Sequence, residues 1–163
     1  MVRIRNRQRL RRKEVAEFAG QLETAFGCRV FDPEQPIDLA EAGPNRVLLV
    51  DGKAMALLLG ERLALTVRGA IAYRPTRRHV TVDMGAVKFV YNGADVMAPG
   101  IVEADPAIAV GDFVWVCDER NRQPLAVGEA LMTGAEMNVA ETGKSVKSFH
   151  HVGDDLWKLD EVE

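Results

Sequence analysis

The first regular pattern of apolar positions along the chain is that of a helix. Apolar residues at helical spacing follow Leu10, namely Val15, Phe18, Ala19, Leu22 and Phe26. Residues three, four and seven positions apart share one face of a helix, so the pattern predicts an amphipathic helix that Gly27 ends. Just before it, arginine occupies every second position, at Arg3, Arg5, Arg7 and Arg9. Because alternate residues line one face of a strand, we expect an extended basic arm or an edge strand there.

Turn-forming residues and apolar runs divide the next part of the chain. Three prolines and a glycine among acidic residues predict a connecting loop over 32–46. The dipeptide Asp51-Gly52 then separates two apolar runs, 47–50 and 53–59, and such a dipeptide readily takes the two positive φ angles of a tight hairpin turn. A further strand is predicted over 63–67. The first half therefore indicates a small domain in which one helix joins a hairpin-rich sheet.

The charged segment 73–78, which holds a proline and three arginines, precedes a change of pattern. We place a boundary at its end and expect domains at 1–78 and 79–163. Short runs typical of strands follow, at 80–83, 101–105, 113–118, 124–132 and 156–159. The chain as a whole predicts an α+β fold whose second domain is mostly β.

One helix is expected near the start of the second half. Asp83 can accept hydrogen bonds from the free amides of a first turn. The apolar positions that share a helix face are Val87, Val90, Tyr91 and Ala94. Lys88 and Asn92 lie four residues apart on another face, and Asn92-Gly93 ends the helix where a left-handed residue is tolerated. The pattern predicts a short helix with an apolar inner face and a polar outer face.

The distribution of charge adds a second expectation. The net charge is −3, yet residues 1–13 hold seven Lys or Arg and no acid, so the rest of the chain carries −10. Because the acidic remainder repels phosphate at long range, we expect any nucleic-acid contact to be local. No apolar run is long enough to cross a membrane and no secretory signal is recognisable, so we predict a cytoplasmic location without a membrane partner.

Residues with catalytic or metal-binding chemistry do not form a recognisable site. The Gly-Lys-Ser of 143–145 lacks the first glycine of a phosphate-binding loop, since residue 138 is Asn138. Ser148, His150 and Asp154 have the residue types of a nucleophilic triad, but they fall within seven residues and lack a nucleophile elbow. Neither of the two cysteines has a second ligand at metal-binding spacing. We predict a protein that is not an enzyme and has no metal and no cofactor.

The run from 83 to 101, DMGAVKFVYNGADVMAPGI, closely resembles the opening signature of PUA domains. In that signature a Gly-Ala pair starts a helix and a Gly-Ala-Asp stretch leads to Pro-Gly. The matching positions are Gly85, Ala86, Gly93, Ala94, Asp95, Pro99 and Gly100, and with later strand-like runs the likeness spans 79–159. The first half resembles the pre-PUA domain of a family with archaeal members and a eukaryotic member, the malignant T-cell amplified sequence protein, which acts in translation re-initiation and ribosome recycling. The resemblance implies a pre-PUA α/β domain followed by a PUA pseudobarrel.

The resemblance also implies RNA binding through the early helix, the loop after it and the neighbouring strand. The candidate RNA-binding residues are Gly85, Lys88, Phe89, Asn92, Gly93, Ala94 and Asp95, joined by Arg77 and Arg78 from the preceding segment. Glycine would let a phosphate or base edge approach the backbone, and Lys88 would add a screened attraction. The implied partners are structured RNA, either tRNA or ribosomal RNA, with the small ribosomal subunit and a second translation factor.

Two other functions stay open beside a translation- or ribosome-associated RNA-binding protein. The first is an accessory subunit for RNA modification, because PUA domains often accompany RNA-modifying enzymes, although the first half leaves no room for a catalytic domain. The second is a protein-interaction module without RNA binding, in which the basic arm binds an acidic protein. The many acids of the second half make this last function possible.

Overall fold

The computed structural model describes residues 2–159, whose contacts divide into two units. The first unit consists of residues 2–75 with residues 155–159, and the second consists of residues 76–154. The domain limits 1–78 and 79–163 stay a prediction, because grouping by contacts does not mark where a family domain begins or ends. Among the described residues, no helix is both long enough and apolar enough to cross a membrane.

Helices and strands alternate irregularly along the chain. In order they are β1 (Ile4–Arg9), α1 (Arg12–Phe26), β2 (Ile37–Ala42), β3 (Asn45–Val50), β4 (Lys53–Leu59), β5 (Arg62–Leu65), α2 (Val67–Tyr73), β6 (His79–Val82), α3 (Met84–Tyr91), β7 (Val96–Met97), β8 (Ile101–Ala104), β9 (Phe113–Asp118), β10 (Pro124–Ala130), α4 (Gly134–Met137), β11 (Lys144–His151) and α5 (Asp155–Leu159). A 3-10 turn, Ala98–Gly100, links β7 to β8. The separate helices and mainly antiparallel strands confirm the expected α+β class.

The first unit is an antiparallel sheet with the strand order β1-β2-β3-β4-β5. Helix α1 packs near β5 and buries the predicted apolar stripe, including Val15, Leu22 and Phe26. The arginine-rich segment forms the edge strand β1, which was one of the two predicted structures beside an extended basic arm. The predicted hairpin joins β3 to β4, with φ angles of 52° at Asp51 and 80° at Gly52.

The second unit is a six-stranded sheet in the order β7-β11-β10-β9-β6-β8. Strand β6 runs parallel to β9, and the other pairs are antiparallel. The core between these strands is built mainly from valine and alanine, and α3 places Val90 on it with Val87 half-buried. The predicted inner face of α3 is narrower than expected, because Tyr91 and Ala94 are exposed.

Two expectations for short segments are wrong. The supposed loop over 32–46 contains all of β2, because its acids find partners across the sheet: Asp38 pairs with arginines of β1, and Glu41 accepts from Asn6. The strand-like run 156–159 lies in helix α5, where Leu156 and Leu159 are buried one turn apart. In both segments, contacts with distant residues decide the local structure, and the local sequence pattern does not reveal them.

Candidate nucleic-acid interface

Helix α3 is fixed at its start by Asp83, the predicted cap. The Asp83 carboxylate accepts a hydrogen bond from the Ala86 amide at 2.9 Å, and the Asp83 amide donates to the Gly100 carbonyl at 2.9 Å. The first bond caps the first turn of the helix, and the second joins that turn to the 3-10 turn before β8. Only Val90 is fully buried in α3, so the helix presents most of its length to solvent.

A pocket of about 480 Å³, here called the α3 pocket, lies between α3, the loop after it and the 3-10 turn. Its lining is mostly apolar and includes Ala86, Phe89, Val90, Ala94, Met97 and Pro99. At the surface, Phe89 is 56% exposed and Met97 is 46% exposed. Among the predicted RNA-binding residues, those that line the pocket are Gly85, Phe89, Ala94 and Asp95.

The other candidates of the helix and loop, Lys88, Asn92 and Gly93, lie outside the pocket lining. Lys88 is exposed, and its Nζ lies 5.2 Å from the centroid of the Phe89 ring. A cation and an aromatic face thus stand side by side next to an apolar pocket. This combination can attract a phosphate and stack a base.

Both the backbone conformation at residue 93 and the nearby side chain of His151 favour glycine at this position. Its φ angle is 84°, and an added Cβ would lie only 2.9 Å from Nε2 of His151. The His151 ring is held in place because Nδ1 donates to the Val152 carbonyl at 2.9 Å, which leaves Nε2 as an acceptor when the ring is neutral. This contact could not be predicted from the sequence, because His151 lies on β11, far along the chain from Gly93.

Asp95 ties the loop after α3 to β11. Its Oδ1 accepts from the Ser148 amide at 3.0 Å, and its Oδ2 lies 3.5 Å from Nζ of Lys144. The carboxylate is therefore largely committed to contacts within the unit. A direct contact of Asp95 with RNA stays a prediction.

Arg77 and Arg78 lie apart from the α3 pocket, whose lining includes neither of them. The Arg77 carbonyl accepts from Nε1 of Trp115 at 2.8 Å, and the Arg78 amide donates to Asp105 at 2.7 Å. Burial raises the pKa of Asp105, but the amide hydrogen bonds from Arg78 and Ala107 outweigh it and hold the pKa below its usual value. This segment is well anchored, and its role in RNA binding also stays a prediction.

The triad-like residues of β11 do not assemble into a nucleophilic site. His150 is only 2% exposed and its Nδ1 lies 2.8 Å from the Asp154 carboxylate, which also accepts from the His151 amide at 2.9 Å. Within residues 2–159, the Ser148 hydroxyl has no hydrogen-bond partner, so it is not engaged by His150. The histidine–aspartate pair closes the turn that follows β11. Over the same described range, no group of side chains could hold a metal ion.

Comparison with known protein families identifies a PUA domain over residues 78–152. The whole chain is similar to the uncharacterized protein MJ1432 of Methanocaldococcus jannaschii, with 38% identity over 158 residues that make up 96% of this chain and 98% of that protein. Translation machinery-associated protein 20 of Saccharomyces cerevisiae is 32% identical over 68% of this chain and 64% of its own length. Human malignant T-cell-amplified sequence 2 is 32% identical over 50% of this chain and 46% of its own length. The chain thus spans about half to two thirds of these eukaryotic relatives.

Solved structures are similar over nearly the full length. A hypothetical protein from Pyrococcus horikoshii is 35% identical with a TM-score of 0.83, covering 94% of this chain and 98% of that one. A conserved PUA domain protein from Thermoplasma acidophilum is 29% identical with a TM-score of 0.81 and the same coverage. These likenesses confirm the predicted fold and the resemblance to PUA-domain proteins.

Proposed function

Because the chain belongs to the archaeal family of PUA-domain proteins that includes MJ1432, we propose that it is a non-catalytic RNA-binding protein that works with the translation machinery. The PUA domain and the likeness to translation machinery-associated protein 20 support this role. The RNA is structured, either tRNA or ribosomal RNA, and the further partners are the small ribosomal subunit and a second translation factor. Such a role places the protein in the cytoplasm.

The observation that carries the proposal is the α3 pocket with Phe89 exposed beside it. A pocket of about 480 Å³ is within the size range of small-ligand sites and can accept one nucleobase. Proteins recognise RNA mostly at unpaired nucleotides, whose bases stack on aromatic side chains. Phe89 supplies such a face, and Lys88 next to it supplies positive charge for the adjoining phosphate.

The two carboxylates that line the pocket have partners within the unit. Asp83 serves as the cap of α3, and Asp95 is engaged by the Ser148 amide and by Lys144. The unit as a whole is acidic, with 7 Lys or Arg against 11 Asp or Glu in residues 76–154. We therefore expect the pocket to select an unpaired nucleotide with modest affinity, and not to bind duplex RNA strongly.

The test is to titrate the full chain with an RNA hairpin that has an unpaired 3′ tail and with the same hairpin ending in a blunt duplex. The wild type should bind the tailed hairpin more tightly. Phe89→Ala should lower that affinity by about 10-fold, since base stacking contributes about 1–3 kcal/mol. Val139→Ala, which removes another exposed apolar side chain outside the pocket lining, should leave the affinity unchanged.

Equal binding of the two hairpins by the wild type would contradict the α3 pocket as a base-binding site. The same holds if Phe89→Ala binds the tailed hairpin as well as Val139→Ala does. Replacing the hairpins with tRNA and with ribosomal RNA fragments then separates the two proposed RNA classes. If no RNA binds at physiological salt, the protein-interaction module becomes the better account.

A further inference from the structure

Charge is segregated between the two units in opposite senses. By sequence the first unit, residues 1–75 and 155–163, holds 14 Lys or Arg against 13 Asp or Glu, a net of +1, whereas residues 76–154 have a net of −4. The second unit repels a polyanion at long range, and the attraction in the first unit comes from residues 3–13, which hold seven Lys or Arg and no acid. The electrostatic part of RNA binding is therefore expected from the unit that does not carry the PUA match.

Half of the basic residues of the first unit lie within residues 3–13, and the three of them on β1 do not line one face. Arg5 pairs with Glu41 of β2 and Arg9 pairs with Asp38, and the register shifts by one residue between Arg5 and Gln8. Asn6 lies in this shift with a φ of 50°. Because Asp38 and Glu41 are three residues apart on β2, they face opposite sides of the sheet. The bulge thus places Arg5 on one face and Arg9 on the other.

On one of these faces two guanidinium groups share a single buried carboxylate. Nε of Arg7 lies 2.6 Å from Oδ2 of Asp38, and Nε of Arg9 lies 2.6 Å from Oδ1. The arginine side chains are nevertheless 49% and 64% exposed. Their Nη groups have no acceptor among residues 2–159, so each guanidinium is held through one edge and keeps donors available to solvent.

We propose that Arg7 and Arg9, held side by side by Asp38, bind the phosphate backbone of RNA at a second contact, distinct from the α3 pocket. Guanidinium groups match phosphate oxygens through paired N–H donors, and fixing their side chains beforehand lowers the entropy lost on binding. Charged residues on an edge strand also hinder unwanted strand pairing. That role does not require two arginines to converge on one buried carboxylate. We call Arg7, Arg9 and Asp38 the arginine clamp.

The choice of RNA as the ligand of the clamp rests on the proposed function. The test therefore distinguishes a failure of the clamp from a failure of the proposed RNA binding at the α3 pocket. The triple variant Arg7→Gln, Arg9→Gln, Asp38→Asn removes the clamp with its counter-charge and changes the net charge by −1. Arg29→Gln, at an exposed arginine outside the clamp, changes it by the same amount. Both are titrated with the tailed and the blunt hairpins over a range of salt concentrations.

The triple variant should lose about 10-fold in affinity for both hairpins, and the slope of log affinity against log salt should flatten by about 1.5–2, as expected for two lost phosphate contacts. Arg29→Gln should behave as the wild type. The preference for the tailed hairpin should persist in the triple variant. If the triple variant fails to fold, Arg7→Lys with Arg9→Lys keeps the charge and removes the planar guanidinium groups, and it should weaken binding of both hairpins.

Equal affinity of the triple variant and Arg29→Gln for the blunt hairpin would overturn the clamp and leave the α3 pocket intact. A wild type that does not bind the blunt hairpin at all would also overturn it. By contrast, a wild type that binds both hairpins equally, with affinity lost in the triple variant, would support the clamp and contradict the proposed role of the pocket.

Discussion

The α3 pocket and the arginine clamp offer RNA two different kinds of surface. The pocket is apolar and belongs to a unit with net charge −4, whereas the clamp is ionic and lies next to the first 13 residues, which hold seven Lys or Arg and no acid. Stacking in a pocket distinguishes an unpaired base from a paired one, and phosphate contacts position the RNA without reading it. On the two proposals, selectivity and electrostatic affinity come from separate units of one small protein.

This division means that a variant in one unit should change one property of binding. Damage to the surroundings of α3 should reduce the preference for an unpaired 3′ tail, and damage to the clamp should reduce affinity for any hairpin. Acidic residues near the pocket are consistent with such a division, because the basic strand on the other unit can supply the attraction. Gly93→Ala and Asp83→Ala test this division beside the α3 pocket, and Asp38→Asn tests it in the clamp.

Gly93→Ala should have the largest effect. It forces a side chain into a left-handed residue with φ of 84° and places a Cβ 2.9 Å from Nε2 of His151. We expect a loss of about 2 kcal/mol in the free energy of unfolding, measured by chemical denaturation. The preference for the tailed hairpin should fall with it, and affinity for the blunt hairpin should stay unchanged.

A double variant separates the two causes at this position. Gly93→Ala combined with His151→Ala removes the steric conflict but keeps the unfavourable φ, so it should recover part of the lost stability relative to Gly93→Ala. His151→Ala alone gives the cost of the lost ring contacts. If the double variant is no more stable than the sum of the two single changes predicts, the contact with His151 does not limit residue 93.

Asp83→Ala should have a smaller effect because it removes one cap. The carboxylate accepts from the Ala86 amide at 2.9 Å, and losing such a bond costs about 1 kcal/mol. Since α3 forms one wall of the pocket, fraying of its first turn should weaken binding of the tailed hairpin more than of the blunt one. Thr133→Ala is the matched control: Thr133 caps α4 by accepting from the Glu136 amide at 3.1 Å, outside the pocket lining. An equal loss of tail preference in both would contradict a specific role for α3.

The features around α3 were the most predictable from the sequence. Helical spacing of Val87 and Val90, a cap at Asp83 and a stop at Asn92-Gly93 are local signals, and the structure contains all of them. The pocket itself was not predictable, because Met97 reaches it from β7 and its exposure depends on how the loop turns back. The contact of Gly93 with His151 likewise depends on the pairing of distant segments.

The clamp was harder to foresee for a different reason. Alternating arginines predicted one basic face, and the sequence contains no glycine or proline that would mark the bulge near Asn6. The acidic residues of β2 made its sequence typical of a loop, and the prediction therefore placed Asp38, the partner of Arg7 and Arg9, in a loop. Propensity is a local property, whereas a buried carboxylate between two arginines exists only once the sheet has formed.

The pH dependence of stability tests the clamp directly, and the expected effect is the smallest of those described. Hydrogen bonds from Arg9 and then Arg7 lower the pKa of Asp38 below its ordinary value of 3.8. A carboxyl group whose pKa is lower in the folded state stabilises the protein above its unfolded pKa, and this contribution is lost as the pH falls through the folded pKa. The free energy of unfolding should therefore drop below about pH 4, and Asp38→Asn should make that drop shallower.

Asp105 provides the comparison in the other unit. Its pKa is also lowered, because amide hydrogen bonds from Arg78 and Ala107 outweigh the effect of burial. Asp105→Asn should likewise flatten the acid limb of stability. Asp38→Asn should in addition loosen the two guanidinium groups, and it should give no gain in RNA affinity despite its added positive charge. A clear gain in affinity on Asp38→Asn would mean that charge alone governs this surface, and that the fixed geometry of Arg7 and Arg9 does not matter.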